Sequence, residues 1–325
     1  MMPRAFSCLL IAGSLWAQNS VYLISHKGES SIGFYTPAGE KLTSVPVGKH
    51  PHEMVLSNDG RYLYTTDNGT MQIEQAGTGG NTVSIVDLIA RKKVGEINLG
   101  NFRRPHGIDI DRKTGRVVVT TELPDQLLVI DPVGRKVVRT FETRGKTSHM
   151  VTLGPGAKFA YVSNSNSGNV SALDLTNGQV TLIPTGPRPE GSALSRDGRE
   201  LYVGNRDGNT ISIIDTAAQT VKGEIKIGKG SVRMATTPDG QIVCALYHEN
   251  AIQIADPKAG KVIARVGLPE HVVSLSLSRD GKLAFASAQE KDTVFVVSLP
   301  EQKILRQIKT TAGAAPDPVM EIPAK

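Results

Sequence analysis

A recurrence of about forty residues constrains this chain more than any other feature. A short strand ending in aspartate returns at Val83 to Asp87, Leu127 to Asp131, Val170 to Asp174, Ile211 to Asp215 and Ile252 to Asp256, with spacings of 44, 43, 41 and 41 residues. A sixth copy, Val294 to Ser298, ends in serine instead. A repeat of this period is one supersecondary unit that buries its apolar faces only by stacking on neighbours.

Ahead of most copies stands a turn: Asn58-Asp59-Gly60, Arg196-Asp197-Gly198, Pro238-Asp239-Gly240 and Arg279-Asp280-Gly281, with looser versions at Thr114-Gly115 and Pro155-Gly156. Asp-Gly between alternating apolar segments marks a hairpin, because glycine accepts the positive φ that matches strand twist. Each repeat therefore supplies four strands. Strand A precedes the turn, B follows it, C ends in the aspartate, and D leads to the next repeat.

Two fragments remain, and they complete each other. Val21 to Ile24, Ser31 to Tyr35 and Lys41 to Val47 read as B, C and D without an A, whereas Val319 to Ile322 reads as an A alone. Their union gives a seventh unit and predicts an all-β, seven-bladed β-propeller of four antiparallel strands per blade, closed by both chain ends. An open β-solenoid is the alternative, and it leaves these fragments without partners and their edges exposed.

The B strands carry Tyr161-Val162-Ser163-Asn164 and Tyr202-Val203-Gly204-Asn205, which resemble the YVTN family of propeller repeats. Asp67, Glu122, Tyr247 and Ala288 are read as the residues replacing the terminal asparagine in other blades. This resemblance spans residues 18–325 and implies the fold. It leaves the function open, because propellers host binding, scaffolding and unrelated chemistries.

Arg4 precedes an apolar run, Ala5 to Ala17, too short to span a bilayer. It reads as an export signal, residues 1–17, cut after Ala17, and implies a periplasmic or secreted protein. An N-terminal helix packed on the domain is the alternative. Cys8 would leave with the signal, and it lies too early in the run for lipid attachment. Cys244 then has no partner for a disulfide and reads as core packing on a B strand. A net charge of +6 is scattered in single residues and short clusters such as Arg91-Lys92-Lys93, which argues against nucleic acid as a partner. No transmembrane segment and a monomer are expected.

Alternation of strand direction puts the start of A and the B-to-C loops on one face. Counting back from the Asp-Gly turns places His52 and Glu190 at the start of A, the equivalent alignment with one residue of slack adds His106, His149, Val232 beside Arg233 and the segment just after His271, and the C-terminal A strand contributes Asp317. His50, His26 and His248 fall on the same face, farther from the axis. Imidazoles and a carboxylate suit a divalent transition metal such as copper, zinc or iron, so His52, His106, His149 and Glu190 are candidate ligands. Arg233, His271 and Asp317 are candidates for orienting a small polar or anionic ligand. Polar strand starts around a channel of ordered water are the plainer account of the same residues.

An enlarged B-to-C loop between Asp67 and Asn81 lies beside His52, and its glycines permit movement. Met71 and Glu74 are its candidate ligand contacts. A tolerated surface insertion explains the same loop. His50-Pro51-His52, Glu122-Leu123 and Asn205-Arg206 are also similar to motifs of lactonase-type propellers, although Thr121 stands where that family has asparagine. The resemblance implies His52 as acid or base, Glu122 as its partner and Arg206 as a carboxylate clamp. There is no Gly-x-Ser-x-Gly elbow, phosphate-binding glycine loop or haem-attachment motif. Three functions remain: a metal-binding propeller, a lactonase-like hydrolase or cycloisomerase, and a non-enzymatic adaptor that takes a partner protein on this face.

Overall fold

The computed structural model describes residues 20–324, so the expected signal segment and Cys8 lie outside the described residues. Those residues form seven four-stranded antiparallel sheets and three single turns of 3-10 helix. Blade 1 runs Pro51–Leu56, Tyr62–Asp67, Thr82–Asp87 and Lys92–Asn98 from the channel outward. The inner strands of blades 2 to 6 are Arg103–Ile110, Ser148–Leu153, Pro189–Leu194, Ser231–Thr236 and Ser274–Leu277.

Blade 7 closes the ring as expected. Pro316–Pro323 pairs antiparallel with Ser20–His26, matching Val21 with Ile322 and Leu23 with Met320. Apolar residues from neighbouring blades fuse into shared clusters. Val55, Ile85 and Ile97 of blade 1, for example, pack with Ile108, Val119 and Leu128 of blade 2. Cys244 is buried in such a cluster, as expected, and burial pushes its thiol up to about 12.

The repeated polar residues have local duties. Asp87 Oδ1 accepts the amides of Ile89 and Ala90, and Asp215 Oδ1 those of Ala217 and Ala218, so the aspartate closes the C-to-D turn through its side chain. Ser298 keeps part of that role by accepting the Glu301 amide. The asparagine that ends strand B ties it to strand C: Asn164 Nδ2 donates to Asn169 and Ser171, and Asn205 Nδ2 to Thr210 and Ser212. Asp67 does the same with polarity reversed, accepting from Thr82, Ser84 and the Gly48 amide.

Register corrects two of the assigned replacements. Pro51 faces Asp67, Ser148 faces Asn164 and Pro189 faces Asn205, but Pro105 faces Thr121 and Ser231 faces Leu246. Glu122 and Tyr247 therefore lie one residue beyond the clamp. In blade 7 the clamp is His26, buried and bonded to Ser31 and to the Tyr35 hydroxyl, so it belongs to the blade interior and not to the channel mouth.

Candidate functional site at the channel mouth

Two concentric sets of side chains follow from this register. The inner set occupies the start of strand A: His52, His106, His149, Glu190, Val232, Val273 and Asp317. The outer set follows the clamp that ends strand B: Asn68, Glu122, Ser165, Arg206, Tyr247, Gln289 and Lys27. In three blades the two sets meet each other, two of them as ion pairs. Glu122 accepts from His106 at 2.6 Å, Arg206 donates to Glu190 at 3.0 Å, and Lys27 lies 3.6 Å from Asp317.

The three expected histidines come together. His52 and His106 lie with ring centroids 4.1 Å apart, and His106 and His149 with centroids 3.8 Å apart, tilted by 40° and 45°. All three are buried, and burial followed by the cations Lys27 and Arg233 holds them well below the usual imidazole range, hence neutral. His52 Nδ1, His106 Nε2 and His149 Nδ1 are buried without a hydrogen-bond partner. With Glu122 ionised, His106 Nδ1–H is the donor and Nε2 keeps its lone pair.

Glu190 does not join this column. Its Oε1 accepts from Arg188 Nε at 2.9 Å and from Arg206 Nη1 at 3.0 Å. Among the described residues no group of three or more His, Cys, Asp or Glu side chains is disposed to hold a metal ion. Overlapping ring faces and a carboxylate held by two guanidiniums are the physical reason the expected four-ligand set is not assembled.

The carboxylate partners also differ from those the lactonase resemblance implies. Glu122 serves His106 and Arg104, whose Nε lies 2.7 Å from Glu122 Oε2. His52 Nδ1 has Asp317 at 3.2 Å, out of line for a hydrogen bond, and Glu53 at 3.6 Å. Burial lifts Glu122 to about 7 and Asp317 to about 6, against the pull of Arg104 and Lys27 respectively.

A cavity of about 380 Å³ opens beside the column. His52, His149, Glu190, Arg206, Arg233, His271 and Asp317 border it, as do Met71 and Glu74. Glu122 and His106 do not. Arg104 donates to the carbonyls of Ile73 and Gln75, and Arg188 of blade 4 holds Glu74, so the loop roofs blades 2 and 3. Tyr247 forms one wall, stacked on His271 at 5.0 Å and capped by the Arg206 guanidinium at 5.2 Å. His248 packs edge-on to Tyr247, and His50 Nδ1 bonds the Lys27 carbonyl, so both are outer supports.

Lys27, Glu53, Arg104, Arg188, Tyr247 and Gln289 escape the sequence reading. Their signal was positional. Arg104 and Arg188 sit just before the proline that opens strand A, at φ of 55° and 54°, where the left-handed backbone turns the chain into the channel.

No family model matches the chain. It is 27% identical over 199 residues to YncE, an uncharacterised protein of Salmonella typhimurium, covering 60% of this chain and 53% of the relative. The chain thus spans about half the length of that relative. YncE of Escherichia coli K12 is 27% identical over 321 residues, covering 80% of this chain and 88% of the relative. The seven-bladed β-propeller protein Rv1057 of Mycobacterium tuberculosis is 26% identical over 279 residues, covering 82% and 64%. Among solved structures, a functionally unknown protein from Desulfotomaculum acetoxidans superposes with a TM-score of 0.77 at 15% identity, covering 93% and 98%. Kuenenia stuttgartiensis hydrazine synthase gives 0.72 at 18%, covering 90% and 99%. The dihydro-heme d1 dehydrogenase NirN gives 0.68 at 16%, covering 94% and 75%. These structures share the fold, and the chain is a seven-bladed propeller that fits the YVTN type.

Proposed function

We propose that this YVTN-type propeller is an exported protein that binds a small polar ligand in the roofed cavity at its channel mouth. The carrying observation is the column of three buried, neutral imidazoles whose nitrogens His52 Nδ1, His106 Nε2 and His149 Nδ1 lack partners. Buried polar atoms are normally satisfied, so the orphans on His52 and His149, which border the cavity, mark where a ligand's groups belong. His149 has no carboxylate neighbour among its bonds and borders the cavity, which makes it the first contact. Basic and apolar residues at the start of the sequence support export.

Thermal shift of the purified chain against small metabolites and against copper, zinc and iron salts tests this reading. A stabilising small molecule whose effect vanishes in His149→Ala supports it. Tight binding of a metal that is lost on replacing His52, His106 and His149 together would move the assignment to a metal centre. Absence of any stabilising compound or metal would remove the site.

A catalytic version draws support from one feature, the His52 imidazole bordering the cavity with Asp317 3.2 Å behind it. Such a pair suits proton transfer. It requires turnover of a lactone that disappears in His52→Ala and in Asp317→Asn.

A further inference from the structure

The carboxylate of Glu74 sits where a ligand would be expected. Arg188 and Arg206 face each other across Glu190, whose single oxygen Oε1 receives a bond from each. Glu190 is only 2% exposed, so this carboxylate is a fixed part of the wall. Two guanidiniums on one carboxylate leave a surplus positive charge, and the Nε of Arg206 is buried without a partner. The surplus is met by Glu74, whose carboxylate bonds Arg188 from the roof loop.

Glu74 is built to leave. Its side chain is 63% exposed, whereas that of Arg188 is 25% exposed. The loop that carries it is pinched at its base and loose beyond. Gly80 N donates to Asn68 O at 2.7 Å, and a Cβ on Gly69 would lie 2.0 Å from Gly80 N, so the neck admits only glycine. Past the neck the span is tethered to the body by Arg104 and by the Glu74 to Arg188 pair, and a Cβ on Gly77 would meet nothing. An exposed ion pair is weak because water and salt compete for both partners. A ligand carrying the same charge and fork geometry can take its place at little cost.

We propose that Arg188 and Arg206 form an oxyanion site for which Glu74 is the resident stand-in, and that the cavity ligand carries a carboxylate or phosphate group that displaces it. Resting on the ligand-binding reading, this narrows the ligand to an anion and makes the roof a competitor for the site. Displacement releases the loop from blade 4 and leaves its Arg104 tether in place, so binding and loosening of the 71–79 span are one event. The two anion classes share the guanidinium chemistry and separate by shape: planar carboxylate matches the fork of one guanidinium, whereas tetrahedral phosphate has a third oxygen with which to bridge two.

Isothermal titration of the full chain with succinate and, separately, inorganic phosphate tests the proposal in wild type, Glu74→Gln and Arg188→Gln. A weak exposed pair is closed only a few times as often as it is open, so Glu74→Gln should bind one of the two anions about three- to sixfold more tightly than wild type. Arg188→Gln should lose that binding. Deuterium uptake by residues 71–79 should rise in Glu74→Gln and in anion-saturated wild type. Equal affinity in wild type and Glu74→Gln, or no binding of either anion to any form, overturns the proposal. The broader reading fails separately, since it stands or falls on whether His149→Ala abolishes the binding of any stabilising compound, charged or uncharged.

Discussion

Replacing His149 by glutamine should change how stability responds to acid. His149 is buried with no carboxylate bonded to it, and burial, followed by His106, Arg233, Arg206 and Lys27, depresses its pKa well below 6.5. In the unfolded chain the same imidazole titrates near 6.5. A depressed folded value means that the unfolded state binds the extra proton. The contribution is therefore complete above pH 6.5 and drains away as pH falls below it. One such group loses about 1.3 kcal/mol between pH 7.5 and 5.5. His52 and His106 add losses of the same sign. Glu122 and Asp317, raised to about 7 and about 6, work in the opposite direction, since their contribution is present in acid and lost as pH rises. These four groups are common to both proteins and cancel in the comparison. Urea unfolding at pH 7.5 and 5.5 should show wild type losing about 1.3 kcal/mol more than His149→Gln. Identical acid losses in the two proteins would mean that His149 is already protonated or solvated in the fold, and the neutral column would be wrong.

Four further outcomes follow from particular contacts. Glu122→Ala strips Arg104 and His106 of their shared carboxylate, and an unpaired buried charge should cost about 3 to 5 kcal/mol in urea unfolding. Gly107→Ala sets a Cβ 2.7 Å from both His149 O and Val151 N, all rigid backbone, and should cost about 1 to 3 kcal/mol or more by thermal melting. Gly267→Ala, which meets nothing, should change stability by less than about 0.5 kcal/mol and serves as the control. Ending the chain after Ala315 removes the inner strand of blade 7 and bares the edge of Ser20–His26, so light scattering should report more association than for the full chain.

Blade number, closure and the inner set were legible because the repeat fixes backbone geometry and geometry fixes the face. His52, His106, His149 and Glu190 fall where alignment on the turns puts them, and Asp317 where the C-terminal A strand puts it. The slip at Glu122 arose from sequence that reads equally well in two registers. Thr65-Thr66-Asp67 and Thr120-Thr121-Glu122 look alike, yet Thr66 Oγ1 donates to His106 O and Thr120 Oγ1 to His149 O, which aligns Asp67 with Thr121. The ionic partners were hidden for a different reason. Arg188 reaches Glu74 across 114 positions of sequence, and Arg104 reaches Glu122 from a left-handed residue whose side-chain direction no periodicity reveals.

Charge at the mouth is a choice that the fold did not force. Lys27, Arg104, Arg188, Arg206 and Arg233 meet Glu53, Glu74, Glu122, Glu190 and Asp317 in a balanced set around three neutral imidazoles. Buried ion pairs of this kind add little net stability over apolar packing, because desolvation offsets their attraction. The same inner position in blades 5 and 6 is filled by Val232 and Val273, and those blades close as well as the others. A propeller selected for stability alone could carry valine at all seven positions. Polar side chains at the inner position of blades 7, 1, 2, 3 and 4, part of them beneath a pinched loop that forms a roof, are a local departure from what folding requires, and such departures gather where a protein binds.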